Sequence, residues 1–249
     1  MTTRLVSVVF DAIDHRAQAQ WWAETLDTPV AGEEGDEAWL TPDNCPEILF
    51  GSTAEPKRAK NRVHLDLATY SKAEHTNLVT TLIERGATRI DLGQGEVDWV
   101  VLADPEGNEF CVVEPRPLHR YSGRLATIML ETVNAEATGH FWATASGWNV
   151  FSHGPDGAVL RDAAWSGPWL VIGDHDDPPT VKNRIHFDVA PLVGDDQHSE
   201  VERLVAAGAR RVDIGQGDVP WVVLADPGGN EFCVLTPRGF YPGLLTSGE

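Results

Sequence analysis

Apolar and polar side chains alternate along residues 61–68, where the sequence reads NRVHLDLA. Successive side chains of a β-strand point to opposite faces, so His64 and Asp66 share one face while the apolar residues share the other. The pattern returns at residues 183–190 as NRIHFDVA, again with a His and an Asp two positions apart. Each copy therefore predicts a strand with an apolar back and a polar front. That front either lines a ligand cleft or forms a solvated or salt-bridged face.

The same periodicity assigns the other elements of the first half. Residues 4–10 are apolar and β-branched, which predicts a strand, and residues 14–26 follow as a helix with Asp14 as its N-cap. Glycine and proline separate the remaining elements. These are strands at 38–40, 47–50 and 61–68, a helix at 72–85 stopped by Gly86, and strands at 87–91, 98–103 and 109–113. The first half therefore reads as two β-α-β-β-β units.

The second half of the chain repeats the first. Residues 86–116 align without a gap with residues 208–238, and 23 of the 31 positions are identical. The offset of that alignment is 122 residues, and an offset of 120 residues aligns residues 8–23 with residues 128–143. Such self-similarity at a fixed spacing indicates an internal duplication. The whole chain is therefore predicted to contain four β-α-β-β-β units.

The duplication predicts two similar domains, one over residues 1–118 and the other over residues 123–240. The stretch RPLHRYSG at residues 116–123 has the composition of a linker. Because fusion makes a second chain unnecessary, we expect the two domains to pack closely. The resulting monomer would be equivalent to a homodimer of single-domain relatives, and a homodimer of the whole chain is the alternative.

Composition narrows the class of protein. The 249 residues are 42% hydrophobic and 23% charged, which is typical of a soluble globular protein. No apolar run approaches the roughly 18 residues of a membrane span, and the first residues lack a signal-peptide pattern, so we expect a cytoplasmic protein without a membrane partner. A formal net charge of −19 argues against nucleic acid as a partner. The three cysteines show no CxxC spacing, which fits a reducing compartment.

The order of elements, with the motifs HLDL and DPEGNEF and their second copies, resembles the vicinal oxygen chelate superfamily. That superfamily includes glyoxalase I, extradiol dioxygenases and bleomycin-binding proteins, and the resemblance to its tandem glyoxalase-like domains covers nearly the whole chain. It implies an α+β fold in which four units form two tandem domains with curved, mostly antiparallel sheets. Because the superfamily hosts isomerases, dioxygenases and pure drug binders on one scaffold, the fold does not select a function.

The resemblance also implies where a metal would bind. Superfamily members that use a metal carry a His or Gln on the first strand, a His on the fifth and a Glu on the eighth. Carried over by motif, these positions fall on Ser7, His64 and Cys111 in the first half and on Thr127, His186 and Cys233 in the second. Only the histidine is kept in each set, so we expect the usual metal site to be lost and no cofactor to be required. Weak zinc binding by the His and a thiolate, helped by Glu47, Asp66 or Asp188, is the alternative.

The candidate site residues each have a functional and a structural interpretation. His64 and His186 are the best available general bases, although each is also explained as a buried imidazole bonded to a carboxylate. Cys111 and Cys233 are either small buried apolar residues or, with a depressed pKa, nucleophiles. The remaining candidates for ligand contact are polar or aromatic strand positions, namely Ser7, Asp66, Trp99, Thr127, Asp188 and Trp221. Inward-facing tryptophans would give a cleft flat aromatic walls.

Two repeated motifs are interpreted as turns or loops rather than as ligand sites. DPEGN and DPGGN place Pro second and Gly fourth, which suits a tight turn between two strands. GQG occurs once in each half, is too short for a nucleotide fingerprint and is not followed by a helix. We therefore assign the first motif to a turn and the second to a loop.

Two functions from different classes remain open. The first, slightly favoured, is a protein of the resistance or sequestration type that binds a small hydrophobic or aromatic molecule without turnover. The second is a lyase or isomerase that uses His64 or His186 as a base, with or without a divalent metal. The halves differ where a cleft would be lined, with Glu47 opposite Trp169 in the alignment and with an acidic loop, AGEEGDEAW, only in the first half. We therefore hypothesise one more acidic site and one more apolar site.

Overall fold

The computed structural model describes residues 3–239, so the outer ends of the two predicted domains, residues 1 and 240, lie outside the described part. The first half contains β1 (Thr3–Ala12), α1 (His15–Leu26), β2 (Val30–Glu34), β3 (Glu37–Leu40), β4 (Glu47–Ser52), β5 (Val63–Leu67), α2 (Lys72–Glu84), β6 (Thr88–Arg89), β7 (Trp99–Ala103) and β8 (Glu109–Val113). A 3₁₀ turn at Pro117–His119 leads into the second half. That half contains β9 (Leu125–Thr132), α3 (Ala135–Ala145), β10 (Asn149–Gly154), β11 (Gly157–Arg161), β12 (Trp169–Asp174), β13 (Ile185–Pro191), α4 (Gln197–Ala206), β14 (Arg210–Arg211), β15 (Val222–Ala225) and β16 (Glu231–Val234). The four predicted β-α-β-β-β units are confirmed.

The units combine into two open, mixed sheets of eight strands each. The first, which we call sheet A, has the order β14-β15-β16-β13-β1-β4-β3-β2 and joins the first unit to the last. The second, sheet B, has the order β10-β11-β12-β9-β5-β8-β7-β6 and joins the two middle units. Each sheet therefore contains strands from both halves of the sequence.

An antiparallel strand pair forms the centre of each sheet. In sheet A, β1 pairs with β13 and places Ser7 opposite Asp188. In sheet B, β5 pairs with β9 and places Asp66 opposite Thr127. On its other side β1 runs parallel to β4, where Ser7 is level with Glu47. In sheet A, the central pair therefore joins residues that are separated by about three-quarters of the sequence.

One hydrophobic core holds the two halves together. It contains side chains from both sheets and from all four helices. Trp22 of α1, in the first unit, packs edge-on against Phe110 of β8, in the second, with ring centroids 5.3 Å apart. Trp142 of α3 makes the same contact with Phe232 of β16, also at 5.3 Å. Because the helix of one unit packs on a strand of the next, separating the units would expose these rings to water.

Most predicted elements agree with the structure to within a few residues. Asp14 is the N-cap of α1 and accepts a hydrogen bond from the backbone N–H of Ala17 at 3.0 Å. Gly86 follows the end of α2 with φ +99°, a conformation that favours glycine. Strand β2 was not predicted, because its sequence VAGEE is largely exposed and does not alternate. The longest helix, α2, has 13 residues, so no helix within residues 3–239 has the length and apolar character to cross a bilayer.

The structure confirms that DPEGN forms a turn. The Asp104 carboxylate accepts hydrogen bonds from the backbone N–H groups of Glu106 and Asn108, each at 2.9 Å. It also accepts one from Trp22 Nε1 at 3.1 Å, so the turn is attached to the core. In the loop that contains GQG, the Gln94 side chain accepts a hydrogen bond from the backbone N–H of Leu92, which confirms the loop assignment.

Candidate functional site

The structure groups the candidate residues differently from the expectation that each half supplies its own site. Ser7 lies with His186, Asp188 and Cys233 on sheet A, whereas Thr127 lies with His64, Asp66 and Cys111 on sheet B. The expected sets therefore had the wrong first-strand member. The physical reason is that each first strand pairs with the fifth strand of the other half. Both candidate sites are built from two halves of the chain.

Sheet A carries a cleft of about 720 Å³ on the face turned away from the core. Alternation along β1 sends Val8 and Phe10 into the core and Ser7, Val9 and Asp11 into the cleft. The lining also includes the polar group Glu47, His186, Asp188 and Cys233, the aromatic residues Trp39 and Trp221, and the carboxylates Glu34, Asp36 and Glu37. A volume of this size falls in the range of small-molecule sites.

Three polar atoms in the sheet A cleft are buried without a hydrogen-bond partner. They are Ser7 Oγ, Asp188 Oδ1 and His186 Nδ1. Ser7 is only 1% exposed and Asp188 only 8%. The other ring nitrogen of His186 lies 3.6 Å from Asp188, which is too long for a hydrogen bond. Unsatisfied buried polar groups are costly, so this cleft offers bonding positions that a ligand can fill.

Burial dominates the electrostatics of the sheet A cleft. Burial lowers the pKa of His186 to about 4, so its imidazole is neutral at pH 7. Burial raises the pKa of Asp188 to about 7, and the charges of Glu37 and Glu47 add to that shift while Cys233 and Arg238 oppose it. Burial also raises the pKa of Cys233, with Asp188 contributing, so the group is a thiol rather than a thiolate. A thiol without activation is a poor nucleophile.

The corresponding cluster on sheet B is internally bonded. His64 Nδ1 lies 3.0 Å from Asp66 Oδ1, and its Nε2 lies 3.7 Å from a carboxylate oxygen of Glu131. Glu131 also forms an ion pair with Lys60. Burial lowers the pKa of His64, but the Asp66 carboxylate and its hydrogen bond raise it to well above its ordinary value. His64 is therefore an imidazolium held between two carboxylates.

The segment predicted as a linker packs over the outer face of sheet B. The carbonyl of Leu118 accepts a hydrogen bond from Trp169 Nε1 at 3.2 Å, and the carbonyl of Tyr121 accepts one from Arg161 at 3.2 Å. The Arg161 guanidinium stacks over the Trp169 ring at 4.2 Å. His119, in the same segment, is 4% exposed. Linker residues and aromatic side chains therefore occupy sheet B at the place where sheet A has its cleft.

The predicted tryptophans have different environments. Trp221 lines the sheet A cleft. Trp99 packs on sheet B beside Cys111 and lies under the Arg116 guanidinium at 5.8 Å. Of the two tryptophans named above for ligand contact, Trp221 lies in the described cleft and Trp99 does not, and Trp39 also lines the cleft.

Both repeats match one known domain family. A family model described as a glyoxalase-like domain matches residues 7–113 and 127–235. The chain belongs to the glyoxalase-like domain family. Its glyoxalase-like repeats account for both matches, and the predicted resemblance is confirmed. No curated protein matches the sequence.

Solved structures share the fold of this glyoxalase-like protein. Glyoxalase I from Zea mays is 14% identical, with a TM-score of 0.61 and coverage of 94% of this chain and 92% of that one. A mutant of the same enzyme is 15% identical, with a TM-score of 0.60 and coverage of 94% of each chain. A Bacillus subtilis protein assigned as a dioxygenase is 12% identical, with a TM-score of 0.61 and coverage of 96% and 86%. At these identities the likeness establishes the fold alone.

Donor atoms that could hold a metal ion lie in both sheets. In each sheet, donors of one His, one Asp and one Cys lie within 4.8 Å of one another. On sheet B the His and the Asp already bind each other, and Glu131 faces the second ring nitrogen. On sheet A, His186 and Asp188 each keep an unpartnered atom. The sheet A group therefore fits a borderline-soft ion such as zinc, and the structure does not support the expectation that no cofactor is required.

Several residues of these glyoxalase-like sites were missed by the sequence reasoning. Glu131 and its counterpart Asp11 align in the repeat and lie at the same alternation as the first-strand candidates. Lys60 and Lys182 precede the repeated NR motif and pair with these two carboxylates. The signal was present as a repeated acidic residue at the end of a strand and a repeated lysine. The pairing itself depends on strands from different units.

Proposed function

We propose that this glyoxalase-like protein binds one small aromatic or hydrophobic molecule in the sheet A cleft, without turnover. The carrying observation is a cleft of about 720 Å³ that contains buried, unpartnered atoms of Ser7 and Asp188. Val9, Leu49 and Val223 contribute apolar surface to the lining, which suits the body of such a ligand. A polar group on the ligand would satisfy the unpartnered atoms.

The proposal selects sheet A rather than sheet B. On sheet B, His64 lies at hydrogen-bond distance from Asp66, Glu131 pairs with Lys60, and the carbonyl of Leu118 accepts a hydrogen bond from Trp169 of the sheet. A ligand there would have to replace bonds that are already made. Sheet A offers open positions without that cost.

The pKa values support binding over catalysis. His64 has a pKa well above 6.5 and is held by two carboxylates, so it is protonated and does not serve as a base at neutral pH. Burial lowers the pKa of His186 to about 4, which leaves it neutral but weakly basic. Efficient general bases have pKa values near the working pH. Both histidines suggested by the sequence are therefore poorly matched to proton abstraction.

An enzyme is the second candidate, because burial raises the pKa of Asp188 to about 7. A carboxylate with that value is well matched to general base catalysis, with His186 beside it as a hydrogen-bonding group. His186, Asp188 and Cys233 would hold a divalent ion, which when bound would polarise an oxygen of the substrate. In this alternative the protein is a lyase or isomerase of the glyoxalase type.

A pair of cleft-filling variants tests the proposal. Leu49→Trp would occupy the sheet A cleft, and Val171→Trp changes the matching position of sheet B. A library of aromatic compounds is screened by affinity selection with mass spectrometry against the wild type and both variants. We expect hits that are lost in Leu49→Trp and kept in Val171→Trp. Hits lost only in Val171→Trp would reject the choice of cleft, and chemical conversion of a hit compound would favour the enzyme.

Metal content separates the two candidates further. Elemental analysis of protein purified without added metal measures any bound ion, and His186→Ala is compared with the matched variant His64→Ala. The binding proposal expects well under one ion per chain in the wild type and no change in either variant. About one ion per chain, lost in His186→Ala alone, would favour the metalloenzyme.

A further inference from the structure

We propose that the ligand of the sheet A cleft is an organic cation, with an aromatic or apolar body and a protonated amine. This inference rests on the proposed function and adds the charge of the ligand. The observations that carry it are the acidic lining, the unpartnered acceptor atoms at the base of the cleft, and the absence of three of these acids from the equivalent positions of sheet B.

Carboxylates outnumber cations in the cleft. Seven acidic side chains line it, against one lysine and one arginine. Lys182 forms an ion pair with Asp11, and the charge of Arg238 acts on Glu47 and Asp188. The two basic residues therefore do not balance the acids. A cleft with one sign of charge and low-dielectric walls attracts ligands of the opposite sign.

Three of these carboxylates stand at one end of the cleft, on the hairpin formed by β2 and β3. They belong to Glu34, Asp36 and Glu37. Within residues 3–239 none of the three takes part in an ion pair, whereas Glu33, on the other face of β2, pairs with Arg16 at 3.1 Å. The charges that face the cleft are therefore available to a ligand.

The base of the cleft presents hydrogen-bond acceptors. Ser7 lies between Glu47 on one neighbouring strand and Asp188 on the other. Ser7 Oγ and Asp188 Oδ1 are buried without partners, and both residues are more than nine-tenths buried. An ammonium group has three N–H donors and no acceptor, so it complements this set. A carboxylate ligand would meet repulsion from the same groups.

The walls suit the remainder of such a ligand. Trp39 and Trp221 face the cleft, and aromatic rings attract cations through their negative faces. Leu49 and Val223 add apolar surface. The volume of about 720 Å³ is far larger than a metal ion needs and matches a molecule of drug size.

Sheet B shows that the fold does not require three of the seven acidic residues that line the sheet A cleft. Glu34 pairs with Glu37 at the closed end of the β2–β3 hairpin in sheet A, and Gly154 pairs with Gly157 at the equivalent place of the β10–β11 hairpin in sheet B. Glu34 therefore corresponds to Gly154, and Glu37 corresponds to Gly157. The strand pairing also aligns Glu47 with Trp169, since each is level with the first-strand position of its sheet. Three carboxylates of the sheet A cleft are therefore replaced by uncharged residues in the duplicate. The negative charge of the protein as a whole does not explain this local difference.

The test uses aromatic probes matched in shape and different in charge. Tryptamine is the cation, tryptophol the neutral alcohol and indole-3-propionate the anion. Binding to chelator-treated full-length protein is measured by ligand-observed NMR and calorimetry at low and high salt. We expect tryptamine to bind about tenfold more tightly than tryptophol, with the difference reduced by salt and indole-3-propionate weakest.

Matched variants identify the source of the preference. Glu34→Gln and Glu47→Gln remove one charge each from the cleft, and Glu33→Gln removes one from the other face of the same strand as Glu34. We expect each cleft variant to weaken tryptamine binding about threefold and to weaken tryptophol binding less. Glu33→Gln should behave as the wild type. If Glu33→Gln weakened tryptamine binding as much as the cleft variants do, the attraction would come from the charge of the whole protein. That result would overturn the inference.

The remaining outcomes separate this inference from the proposed function. Equal binding of all three probes, abolished by Leu49→Trp, would overturn the cationic ligand and leave the aromatic binding site in place. Binding of none of the probes, or of zinc ions alone, would overturn both. Preference for tryptamine that is kept in Leu49→Trp would place the site elsewhere and also overturn the inference.

Discussion

The charge cluster on sheet B should be a major contributor to folding stability, and Glu131→Gln tests this. The Glu131 carboxylate contacts three positive or potentially positive groups, those of Lys60, His64 and His175. Its side chain is 20% exposed, so water screens these contacts only in part. The substitution keeps the shape and removes the charge. It leaves Lys60 without its ion pair and His64 with one carboxylate instead of two.

The size of the effect follows from the pKa of Glu131. Burial raises that pKa, but the contacts with His64 and Lys60 and the positive charges of both groups lower it from 4.5 to about 2. Each pKa unit corresponds to about 1.4 kcal/mol, so the ionised side chain stabilises the folded state by about 3 kcal/mol at neutral pH. We expect Glu131→Gln to lower the free energy of unfolding by about 2 to 3 kcal/mol.

The pH dependence has a definite sign. The pKa of Glu131 is lowered on folding, so its contribution is complete above pH 4.5 and is lost as the pH falls towards 2. The pKa of His64 is raised on folding, so its contribution is complete below pH 6.5 and is lost as the pH rises through the higher folded value. The difference between wild type and Glu131→Gln should therefore be largest between about pH 5 and 6.5.

Urea unfolding followed by tryptophan fluorescence, repeated from pH 3 to 9, measures this difference. Asp11→Asn is the matched control, because Asp11 is the counterpart of Glu131 and pairs with Lys182. Asp11 and Lys182 are 24% and 40% exposed, so this variant should lose less than about 1 kcal/mol. Equal losses in the two variants, or a Glu131→Gln difference that does not change with pH, would refute the reasoning.

Three further predictions follow from single contacts. Glu106→Ala should cost about 3 kcal/mol in urea unfolding, because it removes the carboxylate paired at 2.6 Å with the buried Arg184 cation and leaves that cation, among the described residues, only its hydrogen bond to the Glu55 carbonyl. An unchanged free energy of unfolding in Glu106→Ala would show that the ion pair with Arg184 does not stabilise the fold. Trp142→Phe should cost about 1 to 3 kcal/mol by the same measurement, since the Asp226 carboxylate loses a buried donor at 3.0 Å. A loss no larger than that of an exposed substitution would contradict this. Cys233 is 7% exposed and burial raises its pKa, so iodoacetamide should label it only after unfolding, as read by mass spectrometry. Rapid labelling of the native protein would place the thiol in contact with solvent.

Local sequence patterns were sufficient to predict the units of the fold. An apolar, β-branched run identified β1, and alternation identified β5, whose two faces differ in burial. The N-cap at Asp14 could be assigned because its side chain bonds within the same helix turn. Strand β2 was missed because it lies at a sheet edge, where exposed Gly and Glu residues carry no periodic signal.

The grouping of the site residues could not be predicted in the same way. Ser7 was correctly placed on a strand, but its neighbour Asp188 comes from the last unit. Nothing in the local periodicity of β1 selects β13 over β5 as its partner, since both strands carry the same motif. The raised pKa of His64 depends first on Asp66 of the same strand and only secondarily on Glu131 in another unit, and alternation alone gives neither contact.

The pairing of the first unit with the last has a consequence for synthesis on the ribosome. Sheet B needs only strands β5 to β12, so it can form once the third unit has emerged. Sheet A cannot, because β1 meets β13 only after some 180 further residues have been translated. At about 5 to 20 residues per second, β1 waits on the order of ten to forty seconds with one edge unpaired. An unpaired strand edge is a template for association with other chains, so nascent protein is most exposed to misassembly during that interval. The last strands to be made complete both the sheet and the cleft.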